Sequence, residues 1–312
     1  MRFLDPTNDI TFRKIFGDEQ HQAALVSFIN AVLGLKAERA VVSVTIANPY
    51  QVPKLESLKE TIVDVRATDG RGREFVVEMQ CRGGATWMKR AVYGVCKAMV
   101  GQLDRGDEYE LIKPVHFIGV LRFKMPWEEI ADAAVGVVEQ MPDTERAWLT
   151  HHVLMDQITH EQSSYDLSMH LLELPRFDRP LDQCLTIVEK WAWFFKHAKE
   201  LTEVPAEIED TGIKEAFATS ARMGWTEEEL NNYENAAHYQ ALAKAELQAV
   251  ALKCREEGRE EGLEKGREEG RLAEAKRMVM ALHQRGMSAV ELAAIARVEP
   301  EQVKQWLSTA VV

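Results

Sequence analysis

The sequence predicts an α/β protein, with a mixed sheet and helices in the N-terminal part and an all-helical C-terminal region. Apolar runs of strand length alternate with amphipathic stretches of helical spacing up to residue 123. A Gly-containing turn joins two of these runs within residues 61–80, and helical spacing continues from residue 227 almost to the end. The predicted order of the N-terminal elements is therefore α-β-β-β-α-β. A chain of 312 residues is long enough for about two domains.

Two helices are predicted at the start of the chain. Asn8 and Asp9 are good N-caps for a short apolar helix, and Gly17 ends it. The second helix, at residues 21–33, has apolar residues at helical spacing and ends at Gly34.

The next predicted elements are a strand at residues 41–47 and a hairpin within residues 61–80. Asp64 stands inside the apolar run of the first hairpin arm, and Glu78 and Gln80 stand inside the second. Carboxylates in buried strands are unfavourable unless something compensates their charge, and a metal ion commonly does so. The hairpin is therefore the predicted functional centre of the chain.

The register of this hairpin decides whether its two acids can act together. A loop at residues 69–73 gives opposed residues a constant number sum of 142, which places Asp64 opposite Glu78. A two-residue turn gives the sum 139 and places the acids on opposite faces of the sheet. We predict the longer loop, which Gly70 and Gly72 permit, so that one acid from each strand can bind the same cation.

The predicted pair of acids suits magnesium. Asp64 and Glu78 can hold one Mg²⁺ through oxygen ligands, while waters and a substrate phosphate complete the octahedron. Such an ion polarises a phosphoryl oxygen and makes its bound water a better nucleophile. Gln80 points the same way and could orient that water or contact the developing negative charge, but it cannot neutralise charge as Lys would. Solvent-facing charges at a sheet edge are the alternative interpretation of this pair.

A helix at residues 85–103 and a buried strand at residues 114–123 follow. Five apolar residues of the helix are predicted to face inward, namely Met88, Val92, Val95, Met99 and Leu103. Polar residues at three- and four-residue steps share another face, namely Lys89, Arg90, Tyr93 and Lys97. Arg90 and Lys97 could contact phosphates and supply the positive charge that Gln80 lacks. The alternative is a solvated helix face.

Residues 126–226 are predicted to be a mixed strand and helix extension of the core, with a strand at residues 148–158 and a helix at residues 181–199. The helix carries four aromatic residues that we assign to the core, namely Trp191, Trp193, Phe194 and Phe195. Three histidines have no acid or Cys partners at metal-site spacing, so no metal role is predicted for His151, His152 and His160.

Residues 227–272 are predicted to be one long helical segment with glycines at four-residue intervals, namely Gly258, Gly262, Gly266 and Gly270. Each Gly costs roughly 0.5–1 kcal/mol relative to Ala in a helix, and close approach of a second helix would offset this. We predict a self-association segment and hence a homo-oligomer. A solvated, partly frayed linker is the alternative.

Residues 273–312 are predicted to be a module of three short helices. Gly286 ends the first helix, Ser288 and Glu291 form a capping box for the second, and Pro300 opens the third. The arrangement resembles a helix-turn-helix. Contact with DNA and a role in packing or regulation both remain open for it.

The bulk composition limits the function classes. The net charge of −12 argues against a general nucleic-acid binder, but residues 1–124 hold 18 basic and 15 acidic residues, whereas the remainder holds 20 and 35. Phosphate binding is therefore expected in the N-terminal part. The sequence shows no membrane-spanning run and no signal peptide, and the four scattered cysteines form no CxxC pair, which is typical of reduced thiols in a cytoplasmic protein.

Several ordered motifs resemble one known family. They are DPTNDITFRKIFG at residues 5–17, IVDV around Asp64, VVEMQ ending at Gln80, KRAVYG, GDEYELIKPVHFIGVL and the repeated EEG of the tail. Together they resemble the Rpn family of recombination-promoting nucleases, which are also described as transposases of the PD-(D/E)XK superfamily. The resemblance covers essentially the whole chain and is strongest in residues 5–123.

The resemblance implies a PD-(D/E)XK, restriction-endonuclease-like core at residues 1–125. It implies a DNA endonuclease that depends on a divalent metal, usually Mg²⁺ with Mn²⁺ as a substitute, and that is linked to recombination, mobile elements or phage defence. Carried over by motif, Asp64 and Glu78 are the metal acids and catalytic residues. Gln80 is the third catalytic residue and stands where the superfamily signature has Lys, although Rpn-like proteins commonly have E-x-Q.

Two points stay open under the resemblance. Asp9, in the N-terminal motif, could reach the metal or could only cap its helix. Arg90, Tyr93 and Lys97 are possible accessory residues, because Gln80 leaves the charge-neutralising group unassigned. A catalytically weak or inactive DNA-binding or regulatory protein on the same fold is therefore the alternative function.

Overall fold

The computed structural model describes residues 2–19, 21–47, 50–51, 61–132 and 141–308. The chain divides into two compact units, Met1–His238 and Tyr239–Val312. Strands on both sides of residue 125 belong to one sheet of the first unit. The boundaries at residues 125, 226 and 272 stay predictions.

The two N-terminal helices form as predicted. Helix α1 is Asp9–Phe16, and its N-cap is Asn8, whose side chain accepts a hydrogen bond from the Ile10 amide. Asp9 is thus the first helical residue and not the cap. Helix α2 is Gln22–Leu33, and Gly34 follows it with φ +64°, a conformation that favours glycine.

The remaining elements follow in chain order. The strands are β1 Val44–Ala47, β2 Tyr50–Gln51, β3 Thr61–Ile62, β4 Val65–Asp69, β5 Glu74–Gln80, β6 Val115–Leu121, β7 Leu149–Val153 and β8 Leu167–Glu173. The helices are α3 Ala85–Val100, α4 Trp127–Asp132, α5 Ile187–His197, α6 Thr211–Ser220, α7 Glu227–His283, α8 Ala289–Ala296 and α9 Pro300–Ser308.

The main sheet is mixed and has the strand order β1-β4-β5-β6-β8-β7. Strands β5, β6 and β8 run parallel, and the β1–β4, β4–β5 and β7–β8 pairs are antiparallel. Strands β2 and β3 pair with each other in a separate two-stranded sheet. The predicted α/β class with a mixed sheet is confirmed, and β8 is a strand that we did not predict.

Helices cover both faces of the sheet. Side chains alternate along each strand, so neighbouring residues contribute to different buried clusters. Phe75, Val77 and Ile118 share one buried cluster with residues of α1, α2, α5 and α6. Val76 and Phe117 lie in a second cluster with residues of α3. The four aromatic residues of α5 are buried in the first cluster, as predicted. The sheet is therefore held between two helical layers.

The prediction for α3 was wrong at Val92 and at the end of the helix, whereas Val95 is buried and Met88 and Met99 pack against the same cluster, as predicted. Val92, predicted to face inward, is 44% exposed, and the helix ends at Val100, before Leu103. Trp87 packs instead against Gly119 of β6, where an added Cβ would lie 3.0 Å from the indole ring. Because this gap admits a tryptophan, the buried stripe of α3 runs through Trp87, Ala91 and Val95.

Other predicted bounds shift by a few residues. The strand predicted at residues 41–47 begins at Val44, and the strand predicted at residues 148–158 ends at Val153. Among the described residues, none of the helices combines the length and apolarity that crossing a membrane requires. The cysteines are free thiols: Cys81, Cys96, Cys184 and Cys254.

The C-terminal unit has a small core of its own. Val279 of α7, Leu292 of α8, and Val303 and Trp306 of α9 are buried together. The predicted capping box of α8 forms between Ser288 and Glu291, and Gly286 has φ +89°. In α7, an added Cβ on any of the four repeated glycines would meet no atom within 4 Å.

Candidate active site

The β4–β5 hairpin has the register that we predicted. Val65 pairs with Val77 and Thr68 pairs with Glu74, so the two residue numbers of each pair add up to 142. The connecting loop is held by Asp69, whose carboxylate accepts hydrogen bonds from the Arg71 and Arg73 amides at 3.0 and 2.9 Å. This loop fixes the register and so brings Asp64 to the level of Glu78.

Asp64 lies just outside the strand, which corrects our placement inside it. The ladder ends at Val65–Val77, and Asp64 occupies a bend immediately before β4. Its Oδ2 accepts a hydrogen bond from the Met79 amide at 2.9 Å. The carboxylate therefore partners a backbone N–H of β5 at the point where the ladder ends.

Arg13 of α1 binds the other oxygen of this carboxylate. Its Nε and Nη2 donate to Asp64 Oδ1 at 3.1 and 2.9 Å. We did not predict Arg13 as a site residue, because 51 positions separate it from Asp64. The usable signal is its place in the N-terminal motif, one helical turn after Asp9.

Glu78 is buried beside the same cluster. Only 7% of its surface is exposed, and burial together with the negative charge of Asp64 raises the pKa of its carboxyl group to about 7. Arg90 and Arg13 oppose this shift. The two carboxylates therefore act on each other electrostatically, as a convergent pair must.

Arg90 connects Glu78 with Gln80. Its Nη2 donates to Gln80 Oε1 at 2.8 Å and lies 3.8 Å from Glu78 Oε2. One guanidinium reaches both side chains because Glu78 and Gln80 point to the same face of β5. The tight turn from β5 into α3 needs Gly83, since a Cβ there would lie 2.0 Å from the Phe123 ring.

The structure places the other predicted residues around this centre. Tyr93 and Lys97 follow Arg90 on α3 by about one and two turns, Tyr93 exposed and Lys97 half-buried. Burial raises the pKa of the Cys81 thiol, and the charge of Asp9 adds to this, so Asp9 lies near the residue after Gln80. The accessory roles of Asp9, Tyr93 and Lys97 stay predictions.

The donor set fits a hard divalent cation. Asp64 lies level with Glu78, and Arg90 links Glu78 to the amide oxygen of Gln80. Hard oxygen donors of this kind are the ligands that Mg²⁺ prefers, with waters completing its shell. A cation here would also favour the ionised form of Glu78, whose pKa is raised by burial. The described part of the chain contains no group of three or more His, Cys, Asp or Glu side chains arranged to hold a metal ion.

A second polar cluster lies at the other end of the parallel strands. His116 Nδ1 is 2.7 Å from Ser168 Oγ, which is 2.8 Å from His170 Nε2. His170 Nδ1 is 2.6 Å from Nδ1 of His151. Neutral rings with one N–H each satisfy all three contacts, with the donors running in either direction.

The comparisons with known proteins give one match. Residues 6–249 match the model of a family described as PD-(D/E)XK nuclease family transposase. This interval contains the acidic cluster, by which we mean Asp64 and Glu78 with their neighbours Arg13, Gln80 and Arg90. No curated protein and no solved structure gives a significant match to the chain.

Proposed function

The chain belongs to the PD-(D/E)XK nuclease family transposases, and on this basis we propose that it is a metal-dependent DNA endonuclease that hydrolyses phosphodiester bonds. The observation that carries the proposal is the register of the β4–β5 hairpin, which brings Asp64 level with Glu78; the effect of the Asp64 charge on the pKa of the buried Glu78 agrees with it. Two carboxylates that converge without a third acid among the described residues suit an ion whose remaining ligands are water and substrate.

The residues of the cluster have separate roles in this proposal. Asp64 and Glu78 would hold Mg²⁺, or Mn²⁺ as a substitute. The bound ion supplies Lewis-acid polarisation of the scissile phosphate and a more acidic water. Gln80 orients the attacking water with its amide group, and Arg90 holds the Gln80 side chain through the 2.8 Å hydrogen bond.

Arg90 also compensates for the missing Lys. Gln80 is neutral, but the guanidinium of Arg90 lies at the tip of its side chain. The positive charge of the Arg90 guanidinium therefore lies next to the side-chain oxygen of Gln80, although Arg90 belongs to α3. A guanidinium with 56% of its side chain exposed can also bind a phosphate in two-point contact.

Asp64→Asn is expected to lower Mg²⁺-dependent plasmid cleavage about 10³-fold, because several kcal/mol of charge stabilisation are lost. Asn keeps an acceptor for the Met79 amide, so the fold is retained. The control is Glu74→Gln, on the same face of β5, where Glu74 pairs with Arg66. Linearised plasmid is measured with Mg²⁺, with Mn²⁺ and with chelator, and single-stranded RNA tests the alternative substrate. Equal cleavage by wild type and Asp64→Asn would refute the assignment.

A second function has two observations in its favour. Arg13 and Arg90 pair with the two acids, and Gln80 stands where the superfamily signature has Lys. A catalytically weak or inactive DNA-binding or regulatory protein would have this composition. Calorimetric titration with Mn²⁺ separates the two functions, because the alternative requires DNA binding without metal binding.

The biological setting is a further part of the proposal. The matching family is described as one of transposases, and we propose that the activity serves recombination, mobile-element or phage-defence processes, with DNA as the partner. Cleavage of a plasmid by the purified protein tests the chemistry, and loss of recombination or defence in cells with Asp64→Asn tests the setting.

We also propose that α7 mediates self-association, since the repeated glycines leave open space along the helix. Replacing Gly258, Gly262, Gly266 and Gly270 by Ala is expected to shift the mass measured by sedimentation equilibrium towards the monomer. The control replaces Glu260 and Glu264 by Ala. In a solvated linker the four alanines would instead stabilise the helix by about 2–4 kcal/mol and leave the mass unchanged, which would contradict the proposal.

A further inference from the structure

Each of the two site carboxylates has an arginine as its cationic partner. Asp64 and Glu78 are matched by Arg13 and Arg90, so two negative groups face two positive groups. A divalent cation that entered this arrangement unchanged would leave two positive charges in excess. One of the arginines must therefore give way, or the ion binds weakly.

The two arginines are held differently. Arg90 keeps a hydrogen bond to the neutral Gln80 at 2.8 Å and lies 3.8 Å from Glu78. Arg13 directs both of its described hydrogen bonds to a single atom, Asp64 Oδ1. If an ion takes Asp64 Oδ1, Arg90 keeps its hydrogen bond to Gln80, whereas Arg13 loses both of its described hydrogen bonds.

The oxygen that Arg13 occupies is also the one available to an ion. Asp64 Oδ2 is committed to the Met79 amide at 2.9 Å. Losing that bond would leave a backbone donor of β5 unpaired, which is unfavourable. An ion that Asp64 binds without disturbing β5 therefore approaches Oδ1, where it meets the guanidinium.

The Arg13 side chain can move away from the Asp64 carboxylate while its helix stays in place. Half of its side chain is exposed, whereas only 12% of the Asp64 side chain is. The helix that carries it stays anchored, because Phe12, Ile15 and Phe16 are fully buried. Displacement thus needs a change of side-chain rotamer and no movement of α1.

We infer that Arg13 is a displaceable counterion of the metal acid: it binds Asp64 Oδ1 in the metal-free protein and yields this oxygen to the divalent cation. The inference rests on the proposed function and adds a positioning residue to it. Before the ion arrives, Arg13 holds the Asp64 carboxylate in its position next to Glu78. Afterwards the ion takes over this task.

The test compares Arg13→Gln with Lys14→Gln by calorimetric titration with Mn²⁺ alone. Lys14 is the adjacent residue on α1 and carries the same charge, but it pairs with Glu229 and lies 4.4 Å from the Trp225 ring. Arg13→Gln is expected to bind Mn²⁺ about fivefold more tightly, which is about 1 kcal/mol. Lys14→Gln should bind like wild type, and Arg13→Lys should be intermediate. In the metal-free state, Arg13→Gln should unfold at a lower temperature.

Unchanged or weaker Mn²⁺ binding by Arg13→Gln would overturn the inference, as would an equal gain in Lys14→Gln. The result is separable from the proposed function, which fails if wild type and Asp64→Asn cleave DNA equally. If wild type binds no Mn²⁺, a gain of binding in Arg13→Gln still supports the counterion, and no binding in either protein refutes it.

Discussion

Glu78→Gln is expected to make the metal-free protein more stable at pH 8 by about 3 kcal/mol, and to lower metal-dependent cleavage about 10³-fold. The stability gain follows from burial. The pKa of Glu78 is raised to about 7 in the folded protein from an ordinary value of 4.5. Glutamine cannot ionise, so it avoids the unfavourable buried charge.

The sign of the pH dependence follows from the same shift. Between pH 4.5 and 7 the unfolded chain loses the Glu78 proton while the folded chain keeps it. The Glu78 contribution to stability therefore falls as pH rises through this window and stays low above it. With chelator present, the gain in unfolding free energy of Glu78→Gln over wild type should be larger at pH 8 than at pH 5. The contribution of the histidines is the same in both proteins and cancels in this difference.

Glu74→Gln is the matched control for this experiment. Glu74 is equally buried on the same strand but pairs with Arg66, so its replacement should destabilise the protein at pH 8. A loss of stability in Glu78→Gln at pH 8 would contradict the prediction. The expected opposition of stability and activity is typical of groups retained for function.

The histidine cluster is expected to make the protein sensitive to acid. Burial lowers the pKa of His170 to about 3, and electrostatic repulsion from His151, His116 and His152 adds to this shift. Burial lowers the pKa of His116 to about 4, where the positive charge of Arg73 adds to the shift and Asp69 opposes it. Burial also lowers the pKa values of His151 and His152.

Stability changes with pH in the opposite direction for these histidines and for Glu78. Below pH 6.5 the unfolded histidines bind protons that the folded ones do not, so stability falls as pH decreases towards 4. His170 and His116 each contribute on the order of 3 kcal/mol of this loss at pH 4. His170→Gln should shift the midpoint of acid unfolding to lower pH, as followed by circular dichroism.

The control for the acid experiment is the exposed His160, which lies outside the cluster. His160→Asn suits its φ of +56° and should leave the midpoint unchanged. Equal midpoints for wild type and His170→Gln would show that the cluster does not limit acid stability.

The hairpin could be predicted from sequence because its determinants are local. Gly70 and Gly72 permit the loop, Asp69 closes it, and the number sum then places Asp64 opposite Glu78. Period-two alternation similarly places Gln80 beside Glu78 on one face. The place where the ladder ends was not predictable, because it depends on the Met79 amide finding a side-chain acceptor.

The features that the sequence did not reveal are long-range. Arg13 reaches Asp64 across 51 positions, and no local spacing links them. The burial of Trp87 on α3 depends on the space left by Gly119, a residue of strand β6. The histidine cluster joins β6, β7 and β8, and its centre lies on β8, whose LSMHLLE sequence we did not recognise as a strand.

Asp64 serves the fold through its hydrogen bond to the Met79 amide and would serve hydrolysis through its charge, and a substitution can remove the second without the first. A carboxamide there can accept the same bond, so exchanging one oxygen for an NH₂ group removes the charge and spares the architecture. Relatives that carry Asn at this place would be expected to fold alike and to have abandoned hydrolysis. Truncation to Ala removes both properties at once, and a dead enzyme so produced would say little about which one was lost.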